Sequence, residues 1–229
     1  LACAMVALAG TSMDAHAIDW AAVINGNWND SANWLGGNVP DALGEDAVLG
    51  LSGAYTVDVT NNFTHGALTI SNPDATLALG SIFHTLKGDL LNNGTVLINK
   101  DGVIFNSHIA FGADAMIAGN GEIVLNGVGN SNDAQVISNS GFTVTHASGH
   151  TIRGAGLLAG TMINNGDIIG DSVVGGLELQ GTLTQGAGGN AGADGGTLQL
   201  ANGSVTSGGE FITVNGGIIE GSGTIATIG

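Results

Sequence analysis

An all-β fold, and within it a parallel β-helix (β-solenoid), is what this sequence predicts, on three observations. Short β-branched or Leu-rich runs, bounded by Gly, Asn or Asp, follow one another from residue 54 onward. Helical 3.6-residue periodicity is not sustained anywhere after residue 18. Several phrases recur along the chain, which is the mark of stacked supersecondary units. A β-sandwich is the alternative, but it would be expected to carry more than the 2 Pro and 4% aromatic residues present.

The elements follow in order. Residues 1–17, LACAMVALAGTSMDAHA, are apolar and end in Ala15-His16-Ala17, a small-x-small signature for cleavage of an export leader. They read as the remnant of a signal peptide, with a mature N-terminus at Ile18. Residues 18–53 form an entry segment or N-terminal cap holding Trp20, Trp28 and Trp34, all 3 of the tryptophans. Residues 54–229 are the solenoid coils, in a fragment expected to continue beyond residue 229. Strands are predicted at 54–60, 67–71, 76–80, 94–99, 102–106, 121–126 and 141–146. Further strands are predicted at 150–154, 161–165, 167–170, 176–180, 196–200, 211–215 and 223–228. At about 20 residues per coil this makes eight to ten coils.

The recurring phrases are IAGNGEI (117–123), IRGAGLL (152–158) and IEGSGTI (219–225), with LNNGTV (91–96) matched by INNGDI (163–168). Their intervals are unequal, so coil length is expected to vary. Gly and Asn suit corners because they tolerate positive φ, which gives the 41 Gly a geometric reason. Asn92, Asn93, Asn164 and Asn165 are expected to stack as corner ladders. That reading is preferred to glycosylation at Asn93-Gly-Thr95 or Asn202-Gly-Ser204.

Charge bounds the partners. Three Lys plus Arg stand against 19 Asp plus Glu, a formal net charge of −16. Nucleic acid and anionic lipid both repel such a field. Hydrophobic residues make up 43% of the chain, enough to fold. No mature segment has the ~20 apolar residues of a membrane-spanning helix, so no membrane insertion by this fragment is expected. Cys3 is the single cysteine and lies in the leader, so burial and hydrogen bonds must hold the exported chain without disulfides.

The phrases GNGEIVLNG and INNGDII resemble the passenger regions of bacterial autotransporter adhesins and related secreted β-helix repeat proteins. The entry pattern Trp28-x5-Trp34-x-Gly36-Gly37-x-x-Pro40-x5-Asp46-Ala47-x-Leu49 is similar to the one that opens many of them. The resemblance implies an exported right-handed parallel β-helix, often part of a longer chain. It also implies a secreted or outer-membrane-associated location and host-surface or matrix glycans or proteins as partners.

The site candidates are weighed on chemistry. A solenoid's first coil exposes its edge and its interior, so Trp20, Trp28 and Trp34 read as a cap over that opening. Val48, Leu49, Tyr55 and Val57 are their expected neighbours. A glycan-binding platform made of the same three indoles is the alternative, and it needs exposed ring faces. Sugar hydrolysis needs two suitably spaced carboxylates. Asp167 with Asp171, and Glu45 with Asp46, are available but read as solvated surface acids. Lys87, Lys100 and Arg153 are too few for uronate recognition, so a polysaccharide lyase or hydrolase is only the competing reading. His146 and His150 lack a third metal ligand. GGNAGADGG (188–196) only faintly echoes a calcium repeat and reads as a flexible loop between coils. No cofactor or catalytic residue is assigned, and weak surface calcium is left open. The expected function is a non-catalytic structural or adhesive rod.

Overall fold

The computed structural model describes residues 16–227, apart from 187, 195, 208–213 and 216–217. Residues 1–15, with Cys3 and most of the leader reading, lie outside the described residues. His16 and Ala17, the last leader positions, belong to a strand paired with Glu45 and Asp46.

Among the described residues every strand ladder is parallel, which rules out the sandwich, and the one antiparallel contact is an isolated bridge between Trp20 and Trp34. Three faces recur in each coil. The first face holds Gly26–Asn27, Tyr55–Val59, Ala75–Leu79, Thr95–Ile98, Glu122–Asn126, the start of Thr151–Asn164, Asp167–Gly170, Asn190–Asp194 and Val214–Asn215. The second holds Phe63–His65, Phe83–Leu86, His108–Phe111, Gln135–Ser138, the middle of Thr151–Asn164, and the first halves of Gly176–Gln185, Thr197–Ser207 and Ile218–Thr227. The third starts with His16–Asp19 and Glu45–Leu49 and continues through Leu68–Ile70, Leu90–Asn92, Ala115–Ala118 and Thr143–His146. It ends on the last halves of the four longest strands.

One row of the third face counts the levels among the described residues. It runs Ile18, Ala47, Leu68, Leu90, Ile117, His146, Asn164, Gln185, Ser207 and Thr227, ten levels. At ~4.8 Å per level the rod is about 43 Å long. The entry segment is therefore already coiled: the first two levels fall at residues 16–53.

Burial follows the strand period of two. On the first face Val57, Leu77, Val96, Ile123, Ile152, Ile168 and Ala191 stack inward, all fully buried. Each fully buried Leu, Ile or Val is worth roughly 1.5–3 kcal/mol relative to exposure, so such rows are the main source of stability. The same row, which starts at Gly26 beneath Val57, measures the coils, and they run from 16 residues (Ile152 to Ile168) to 31 (Gly26 to Val57).

The repeated phrases prove to be corner pieces. IAGNGEI turns from the third face to the first, IRGAGLL from the first to the second, and IEGSGTI from the second to the third. Their first glycines, Gly119, Gly154 and Gly221, share φ of 108°, 110° and 105°. A Cβ on Gly154 would sit 2.2 Å from the Leu125 carbonyl oxygen of the coil before. One corner solution used at three different corners explains why the copies are unequally spaced.

A second device couples the coils. Asp or Asn side chains near the corners accept a backbone N–H from the next coil: Asn25 from Thr56 at 2.8 Å, Asp46 from Ala67 at 2.6 Å, Asn62 from Phe83 at 2.8 Å and Asp89 from Met116 at 2.8 Å. Asn93 does the same for Asn120 at 3.0 Å and Asp114 for Thr143 at 2.8 Å. Each satisfies a donor that an irregular corner would otherwise leave unpaired.

Two sequence expectations are corrected. Residues 102–106 are not a strand: Asn99, at φ 63°, and Gly102, at φ 58°, turn the chain out, leaving Ile104 and Phe105 68% and 67% exposed. Residues 188–196 are not simply a loop, because Asn190–Asp194 is a strand paired with Asp167–Gly170. Its inward residues are Ala191 and Ala193, too small to register as a strand signal.

Candidate functional site

The lowest coil has strands on its first and third faces, but between them two single 3-10 turns, Ser31–Asn33 and Leu35–Gly37, take the place of a strand. Asp30 caps the first turn by accepting the Ala32 N–H at 3.0 Å. The indoles fill the missing place. Trp34 meets Trp20 edge-on, with centroids 5.1 Å apart, and Trp28 at 4.8 Å. Trp28 then reaches the first second-face strands, with Phe63 at 5.9 Å, His65 at 5.2 Å and His84 at 5.2 Å. Trp34 Nε1 donates to the Trp28 carbonyl at 2.6 Å, and Trp28 Nε1 to the Pro40 carbonyl at 3.3 Å.

Trp20, Trp28 and Trp34 are 1%, 0% and 2% exposed. Sugar stacking needs an open ring face, and in this arrangement none of the three offers one. Of the expected neighbours, Leu49, Tyr55 and Val57 join the same core. Val48 does not: the strand alternates, so Ala47 and Leu49 point in and Val48 points out, half-buried. Phe63, His65 and His84 were missed as cap partners. Their signal was weak, a Phe-Thr-His and a Phe-His placed one coil apart.

Inside the rod, His65 Nε2 and His84 Nε2 lie 2.9 Å apart, both fully buried. Burial pushes the His65 imidazole down to about 4, and burial together with His65 pushes His84 down as well. A second polar group crosses the core further along. Asn92 bonds His150 at 3.0 Å, His150 bonds His146 at 3.0 Å, His146 bonds Asn164 at 2.6 Å, and Asn164 bonds Gln185 at 2.7 Å. Asn92 and Asn164 thus do not stack as a corner ladder: two imidazoles separate them. A direct cross-coil Asn pair occurs instead at Asn99 and Asn126, whose side-chain amides each donate to the other's carbonyl at 2.8 and 2.9 Å. Asn93 serves as a clamp on the next coil.

The carboxylates considered for catalysis have structural partners. Glu45 accepts from the Asp41 and Ala42 N–H groups and from the Asn38 amide. Partial burial works against its charge, but those donors outweigh it and hold the carboxyl below its usual range. Asp46 clamps Ala67. Asp171 pairs with Arg153 at 3.1 Å, and Arg153 also grips Glu122 at 2.7 Å. Lys100 lies 3.4 Å from Asp58, and Lys87 donates to the Gly112 carbonyl. Among the described residues no three His, Cys, Asp or Glu side chains are grouped to hold a metal ion, and no helix is long and apolar enough to cross a membrane. Comparison with protein-family models, curated proteins and solved structures gave no match.

Proposed function

We propose that this protein is a non-catalytic structural or adhesive rod, exported through a cleaved signal peptide and displayed at a bacterial surface. The observation that carries the reading is the filled interior. Buried side chains run from Ile18 to Leu198, and the indoles close the N-terminal end. A ligand therefore meets only the outside of the rod, where stacked coils present long regular faces suited to contact with an extended partner such as a matrix protein or a surface glycan. The resemblance to autotransporter passengers points the same way.

The test is adhesion measured beside hydrolysis. Beads carrying the protein are expected to bind matrix-protein or glycan-coated surfaces saturably, without generating new sugar ends from neutral or acidic polysaccharides. Polysaccharide cleavage by the purified protein would overturn the proposal in favour of a carbohydrate-active enzyme.

A further inference from the structure

The polar seam through the core runs in one direction, and backbone groups fix that direction at two points. Asn92 Oδ1 accepts the Gly94 N–H at 3.0 Å, while its Nδ2 donates to the Glu122 carbonyl at 3.0 Å. The amide cannot be turned over without losing both, so Nδ2 must be the atom facing His150 Nε2, which then has to accept. Asn164 is keyed likewise: its Oδ1 accepts the Gly166 N–H at 3.2 Å and its Nδ2 donates to the Asn190 carbonyl at 2.9 Å. Its Oδ1 therefore faces His146 Nδ1 as an acceptor. Between these two ends a single proton arrangement satisfies every contact. Both imidazoles are neutral, each with its proton on Nδ1: His150 donates to His146 Nε2, and His146 donates to Asn164.

We propose that this seam is an acid-sensitive joint in the middle of the rod, in which a proton taken up by His146 or His150 turns one hydrogen bond into a buried donor–donor contact and opens the coils from Asn92 to Gln185. A proton on His150 Nε2 would face the Asn92 amide donor. A proton on His146 Nε2 would face the His150 Nδ1–H. Neither can be relieved by solvent, because Asn92, His146, His150 and Asn164 are fully buried.

The surrounding groups set the sign. Burial pushes His146 down to about 4, opposed by its hydrogen bond to Asn164, by Asp167 on the adjoining first-face strand and by the His150 backbone carbonyl. Burial and then His146 push His150 down to about 3. Of the other charged neighbours, Glu122 meets the seam through its carbonyl while its carboxylate is held by Arg153. Unfolded histidine titrates near ~6.5. The folded state thus binds fewer protons, and its stability is full above about 6.5 and declines as the pH falls from there through the folded values.

The test uses the unmodified protein. Nitrogen-15 spectra of the histidine rings at neutral pH are expected to show His146 and His150 both neutral with the proton on Nδ1. As the pH is lowered, hydrogen exchange is expected to lose protection first in Thr143–His146 and Thr151–Asn164, as these rings become charged, while Tyr55–Val59 and Ala75–Leu79 stay protected. An Nε2–H form at either ring, titration of both near the unfolded value with protection intact, or loss of protection around His65 and His84 before the seam would overturn it.

Discussion

Trp28→Ala is expected to destabilise the protein by about 3–5 kcal/mol, the usual range for removing a fully buried Trp. The indole does more than fill volume. It occupies the place of the missing lowest strand, packs against Phe63, His65 and His84, and donates its Nε1–H to the Pro40 carbonyl. Truncation would admit water to two buried imidazoles whose burial keeps them neutral. Because a solenoid is stabilised by nearest-neighbour stacking, damage should begin at the first coils, and hydrogen exchange should show it at His16–Asp19 and Glu45–Leu49 before Asp167–Gly170. A glycan platform predicts the opposite pattern. Unchanged melting with lost polysaccharide binding in Trp28→Ala would show that the indoles are a binding surface.

Gly154→Val is expected to cost about 2–5 kcal/mol, combining the strain of a side chain at positive φ with overpacking. At φ 110° the new Cβ would press on the Leu125 carbonyl of the previous coil, so the corner must move away from its neighbour. Gly141 gives the control. It also has positive φ, 90°, but nothing lies within 4 Å of the Cβ position, so Gly141→Ala should show the backbone strain alone, about 1–2 kcal/mol. Chemical denaturation of the two variants separates close coil approach from glycine's conformational freedom. Equal losses would contradict the close-packed corner.

The first face was the most legible in the sequence. Tyr55–Val59 alternates large apolar and polar residues, and Thr95–Ile98 and Glu122–Asn126 are short β-branched or Leu-rich runs, whose burial alternates although Leu97 and Val124 face outward. The second face was hidden until its register was known. Phe83–Leu86 and Gln135–Ser138 place His84 and Ser138 inward, residues that alone do not mark a strand core. The stacked coils, not local propensity, hold them there. The G-x-G phrases were visible but read as coil repeats, because sequence spacing does not reveal which corner a phrase turns. The tryptophan cluster was legible as a cap from its composition and position, whereas its histidine partners were not. The polar seam was invisible for a simpler reason. Asn92 and His150 are 58 residues apart, and only the stacking of coils of unequal length brings them to 3.0 Å.

Spin-label distances along one outward row test the central claim, a stacked parallel rod, most directly. Thr56, Thr76, Thr95, Glu122, Thr151, Asp167 and Asn190 occupy successive levels of the first face. Labels at Thr56 and Thr151 are four levels apart, about 19 Å at ~4.8 Å per level, and labels at Thr56 and Asn190 six levels apart, about 29 Å. The account predicts narrow distributions whose separation is the two-level step of about 10 Å. Distances that do not increase with level, or a Thr56–Asn190 pair closer than Thr56–Thr151, would contradict the rod.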